Sequence, residues 1–179
     1  MALNINKNMM HLGNVRSVIR ETFEYGNKRA KEIGRENVYD FSLGNPSVPA
    51  PDDVHNTMLN LLQNGDSVKL HGYTSAQGAE ITREKIAQNI NDRFNAGVDK
   101  NDIYMTCGAA ASLTISINAL ACDGDEFIAI APFFPEYRVF VEAAGAKLVV
   151  VEADTQKFQI DFDKLKSAIS PKTKAVIIN

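Results

Sequence analysis

Apolar residues recur in two rhythms along this chain. Over the first hundred residues they fall at helical spacing; beyond residue 102, short continuous apolar runs alternate with helical stretches. Residues 14–34 read as one helix, with Val15, Ile19, Phe23, Ala30 and Ile33 on a common face and Gly34 as its stop. The short apolar segment VYDFSLGNP follows and ends in Gly-Asn-Pro. In SVPAP each proline biases its predecessor away from helix, so this stretch is extended and reads as a linker, with a boundary near residue 46. Pro51 and Asp52 then open a helix that ends at Gly65, with Val54, Met58, Leu61 and Leu62 on the side expected to be buried. After the loop HGYTSAQG a longer helix runs from about Ala79 to Ala96. Ile86, Ile90 and Phe94 stand four apart on it, and Gly97 is its stop.

From residue 102 the pattern becomes regular. A strand, DIYMTC, meets Gly108 and the nearly all-apolar helix AAASLTISINALAC. A second strand, EFIAIA, meets PFFP and a helix ending at Gly145. A third, AKLVVVEA, precedes a helix capped by Asp161, with Phe162, Leu165 and Ile169 inward and Pro171 closing it; AVIIN is a fourth strand. Strands alternating with helices imply right-handed crossovers and a parallel sheet with helices on both faces. Continuous apolar strands agree, because parallel strands are buried on both sides. The sequence given ends at Asn179, at the carboxyl end of a strand, where open α/β sheets carry their ligand sites.

Composition narrows the function classes. The 179 residues are 45% hydrophobic and 23% charged, an ordinary globular balance that can build a core. A net charge of −3 favours neither nucleic acid nor an anionic membrane as a partner. No apolar run approaches the length of a membrane span, and MALNINKNMM lacks the apolar core of a signal peptide, so a cytoplasmic location is expected. Cys107 and Cys122 form no CxxC pair, and His11, His55 and His71 are scattered, so neither a disulfide framework nor a metal site is expected.

Four motifs carry candidate chemistry, and each also has an ordinary structural reading. In TCGAAAS a strand delivers Gly108 into a helix start. The amides of Ala109 and Ala110 then lack acceptors, and small side chains let a phosphate approach the backbone, although small residues also begin many buried helices. In APFFPEY two aromatics follow a strand end, and one ring can lie flat on a planar cofactor; core packing is the plainer reading. In HGYTSAQG the Tyr73 phenol can donate to a phosphate oxygen, or simply sit on the surface. In SLGNPSVPAP, Gly44 lets a backbone amide approach a carboxylate, or only makes a turn.

Taken together, the run RSVIRETFEYGNKRA, YDFSLGNPSVPAP, GYTSAQGAEITREKIA, TCGAAAS, PFFPEY and AVIIN resembles the fold-type I pyridoxal-phosphate (PLP) enzymes, the class I/II aminotransferases, over essentially the whole chain. The resemblance implies an α/β fold: the first half of the family's large domain, a parallel-rich sheet flanked by helices. Residues 1–45 would be an N-terminal helical segment and 46–179 the N-terminal half of the PLP-binding domain. It implies PLP as cofactor, an amino acid and a 2-oxo acid as substrates, and a homodimer. Gly44 looks like the glycine whose amide meets the substrate carboxylate. Tyr73 looks like the tyrosine that reaches the cofactor phosphate of the partner subunit. Gly108, Ala109 and Ala110 look like the phosphate cradle, and Phe134 like the ring stacked on the pyridine. The family's Schiff-base lysine, the aspartate that meets the pyridine nitrogen and the carboxylate-clamping arginine lie beyond AVIIN. No catalytic residue is therefore assigned, and the chain alone is expected to be inactive. A carbon–sulfur lyase of the same fold and a non-catalytic binding module stay open as alternatives. The family's sheet order also predicts that the 102–107 strand lacks its neighbour here and that AVIIN has an open edge, a template for pairing with another copy.

Overall fold

The structure is a computed structural model, and it describes residues 5–15, 17–44, 46–154 and 156–179. In chain order the elements are α1 (Lys7–Asn14), α2 (Val18–Ile33), α3 (Asp52–Asn64), α4 (Ser67–His71), α5 (Glu80–Phe94), α6 (Ala109–Leu120), β1 (Glu126–Ala131), α7 (Glu136–Ala143), β2 (Lys147–Glu152), α8 (Phe162–Ala168) and β3 (Thr173–Ile177). The chain divides into two compact units, Met1–Leu43 with Ala109–Asn179, and Gly44–Gly108.

The first unit is built on a parallel sheet of order β2-β1-β3. The expectation of an α/β fold with a parallel sheet flanked by helices holds. β1 is central, and Phe127, Ile128 and Ala129 are all buried, so both of its faces are covered, as its unbroken apolar run requires. One face is visible in the register: Phe127 pairs with Leu148 and Ala175, and Ala129 with Val150 and Ile177. These side chains join Ile117 of α6, Val141 of α7 and Ala146 in one hydrophobic cluster. Burying a side chain such as Phe127 contributes about 1.5–3 kcal/mol. Asp161 caps α8 as expected, accepting from the Lys164 amide at 3.1 Å.

Several expectations are corrected. The opening helix is two helices, because Val15 is extended (φ −72°, ψ 117°) and Ser17 caps a new start by accepting from the Arg20 amide. Arg16 of that stretch, Asn45 of the Gly-Asn-Pro turn and residues 1–4 lie outside the described residues. α5 stops at Phe94, earlier than expected, because Asn95 takes the left-handed conformation that ends helices. Val54, Met58, Leu61 and Leu62 on α3 are exposed, as are Phe94, Phe162 and Ile169. Periodicity identifies an apolar face without stating what covers it, and α3 packs chiefly on the short helix α4.

The largest correction concerns 102–107, which is not a strand; the sheet has three strands among the described residues, not four. A strand exists by pairing, not by composition. β1 has two partners, whereas Met105 donates its amide to a loop carbonyl, that of Gln77, at 2.9 Å. Among the described residues no helix is long and apolar enough to cross a membrane.

Two measurements test this core. Phe127→Ala should lower unfolding free energy by roughly 3–5 kcal/mol in urea titrations. Leu62→Ser, at a position 66% exposed, should change it by no more than about 0.5 kcal/mol. Asp125 accepts from the Cys122 amide at 2.9 Å and pairs with Lys174 of β3 at 3.3 Å. The Cys122 amide, and then Lys174, hold its carboxyl below the ordinary carboxylate range. A carboxyl with a lowered folded pKa stabilises above its unfolded pKa and loses that contribution as pH falls through the folded value. Asp125→Asn should therefore be less stable than the parent at neutral pH, and the difference should close on acidification; a gap independent of pH would contradict this.

Candidate functional site

Parallel strands place their carboxyl ends on one edge, and in the first unit a cavity of about 290 Å³ opens there. Ala131 at the end of β1 and Pro132 after it, Ala153 after β2, and Ile178 and Asn179 after β3 line it. The chain leaving β1 carries Phe133 and Phe134. Phe133 turns inward onto the core cluster and stacks on Tyr137 with centroids 6.3 Å apart. Phe134 meets Tyr137 edge-on at 5.8 Å and remains 46% exposed. The two aromatics therefore differ in setting, and Phe134 is the more exposed of them. Tyr137, which contacts both rings, was not singled out from the sequence, although its i+3 spacing from Phe134 at a helix start was the available signal.

α6 begins at Ala109, immediately after Gly108, which has φ +86°. That conformation suits glycine, and a Cβ built on Gly108 would meet nothing within 4 Å, so the approach to its backbone is open. The Ala109 and Ala110 amides occupy the first helical positions, which have no carbonyl a turn earlier to receive them. Both residues are exposed, and the first turn carries no acidic side chain to offset the positive end of the helix dipole. Amide donors, small side chains and uncompensated positive potential form a donor set that fits a phosphate group.

The other expected residues belong to the second unit. Tyr73 is fully exposed in the loop between α4 and α5. The turn after it is closed by the Gly78 amide donating to the Ser75 carbonyl at 2.9 Å and the Ser75 hydroxyl donating to the Gly78 carbonyl at 2.8 Å. Gly44 opens the unit, and a Cβ on it would meet nothing within 4 Å. In the first unit, the segment leading up to it is shaped by Asp40, whose Oδ1 accepts from the Ser42 hydroxyl at 2.6 Å and the Ser42 amide at 2.9 Å. Those two bonds, the hydroxyl first, draw the Asp40 carboxyl below its ordinary range, with Arg35 adding to them.

Comparisons with known proteins point one way. A family model described as aminotransferase class I and II matches residues 36–179. An aspartate aminotransferase of Thermotoga maritima is 32% identical over 163 residues, which cover 90% of this chain and 42% of that protein. A glutamate-pyruvate aminotransferase of Haemophilus influenzae is 29% identical over 155 residues, 84% of this chain and 37% of that one. The crystal structure of an amino transferase from Eubacterium rectale superposes with a TM-score of 0.92 at 57% identity, covering 99% of this chain and 45% of that chain. The chain thus spans less than half the length of each of these relatives.

Gly108 gives a direct test of the local geometry. Gly108→Ala should destabilise the chain by about 1 kcal/mol through the left-handed backbone alone, since the space for a methyl group is free. A stabilising effect in urea titration would contradict the positive φ.

Proposed function

The chain belongs to the class I and II aminotransferases, whose members are PLP-dependent, and from that premise we propose that the whole protein moves an amino group between an amino acid and a 2-oxo acid. The observation that supports this reading beyond family membership is the glycine-to-helix junction at Gly108–Ala110, where a positive φ at Gly108 leads directly into the start of α6.

When bound, PLP supplies the electron sink for amino transfer. The chain's own residues hold and orient it. The amides of Ala109 and Ala110, reached over Gly108, receive the phosphate at the positive end of α6. Phe134, whose ring is partly exposed, would stack on the pyridine ring, and as phenylalanine it would bring no polar handle. Gly44, with open space at its Cα, gives its amide to the substrate carboxylate. Tyr73, fully exposed, extends to the phosphate bound by a second copy, which makes the working protein a homodimer. Residues 1–45 form the N-terminal segment and 46–179 the first half of the PLP-binding domain. The setting is cytoplasmic, with neither nucleic acid nor membrane as a partner.

No lysine among these 179 residues takes the Schiff-base role, so the chain by itself is inactive. Mixing it with PLP, reducing with borohydride and mapping the peptides by mass spectrometry should give at most scattered surface labelling. It should also transfer no amino group from aspartate, alanine or tyrosine to 2-oxoglutarate. A stoichiometric adduct at a single lysine, or turnover, would overturn this part of the reading.

A further inference from the structure

We propose that the cavity between α1, the start of α2 and α7 is a binding site for a small primary alkylamine. The Glu136 carboxylate receives the ammonium group, and apolar walls receive the hydrocarbon chain. The site lies wholly within the first unit and is independent of the cofactor reading. The cavity measures about 410 Å³, a volume usual for small-molecule sites. Leu12 of α1 and Val15 at its C-cap line one side, with Val18 at the start of α2; Phe133 and Val139 of α7 line the other.

The polar content of this cavity is small and unbalanced. Glu136, the first residue of α7, lines it, and its Oε2 is buried with no hydrogen-bond partner among the described residues. An acidic side chain in a first turn suits the helix dipole, but it can do so from solvent, where water satisfies both oxygens. Turned against an apolar wall, an ionised oxygen loses that hydration, which is costly unless a partner replaces it. α7 does not supply one: Arg138, which also lines the cavity, is paired with Glu142 at 3.1 Å. α1 contributes His11, and the N-cap of α2 contributes Ser17, whose hydroxyl oxygen accepts from the Arg20 amide; neither bonds Glu136 Oε2.

A partner for this oxygen must donate hydrogen bonds, carry positive charge and be narrow enough to enter between apolar walls. An ammonium meets the first two conditions at one compact point, with donors that rotate to suit the acceptor. A hydrocarbon chain meets the third. Val15 and Val18 are 61% and 75% exposed, so a chain laid against them removes apolar surface from water. A carboxylate or phosphate ligand would meet Glu136 as a like charge. A neutral alcohol would donate a weaker hydrogen bond, without the charge on the donor. Charge and apolar surface therefore select one class of ligand.

The test titrates the chain with n-hexylamine and with n-hexanol at about pH 8, where an alkylamine stays charged and an imidazole is neutral. NMR follows the methyl groups of Leu12, Val15, Val18 and Val139. The amine should shift these methyls and bind roughly tenfold more tightly than the alcohol, the margin expected when one hydrogen bond becomes charge-assisted. Glu136→Gln keeps the shape and removes the charge, and should bring the amine down to the affinity of the alcohol. Equal affinity for the two ligands, methyl shifts confined to other residues, or amine binding unchanged in Glu136→Gln would each overturn the proposal. If that variant does not fold, the parent decides: a preference for the amine with shifts at the four residues supports the site, and equal affinity overturns it. PLP enters none of these titrations, so their failure would leave the amino-transfer reading standing.

Discussion

Parallel strands cannot be joined by a tight turn. Each return to the sheet must cross the whole length of a strand, and in this protein α7 and α8 make those crossings. The first unit depends on that constraint. It leaves β1 in the middle with both faces buried, and gathers the ends of β1, β2 and β3 on one edge. Phe134 is displayed near that edge because Phe133, one residue earlier, is taken by the core and Tyr137 braces the pair. The exposed ring is thus a consequence of packing on the other side of the backbone.

The second unit solves a different problem. Its segment before Gly108 has no strand partner, so its position comes from directed bonds to loop carbonyls, such as that from the Met105 amide to Gln77. Arg83 of α5, buried, donates from Nε to the Gly78 carbonyl at 3.2 Å and from Nη1 to the Lys100 carbonyl. Asn91 works similarly further along α5, donating to the Val98 carbonyl at 2.7 Å and accepting from the Val98 amide at 3.0 Å. Directed polar contacts of this kind specify a conformation that little apolar burial would select, and they make single polar residues disproportionately important.

These differences explain what was legible in the sequence. β1, β2, β3, α6, α7 and α8 were readable because their signals are local and their tertiary setting agrees with them: EFIAIA is apolar throughout and buried on both faces. The glycine-to-helix junction at Gly108 was readable because glycine followed by small helix formers has a direct conformational meaning. DIYMTC has a strand's composition, but pairing is not encoded in composition, and its amide at Met105 went to a loop. The apolar stripe on α3 was correctly located, and its burial was not, because periodicity marks a face and not its cover. Arg83 was missed because a charged residue on an otherwise apolar stripe reads as an interruption until its two carbonyl partners are seen.

The central claim is that the start of α6 is a seat for the phosphate of PLP. A crystal structure of the chain with PLP tests it most directly. The account predicts phosphate oxygens about 3 Å from the amide nitrogens of Ala109 and Ala110, the ordinary hydrogen-bond distance. A phosphate bound elsewhere, with those amides turned to solvent at full ligand occupancy, would contradict it.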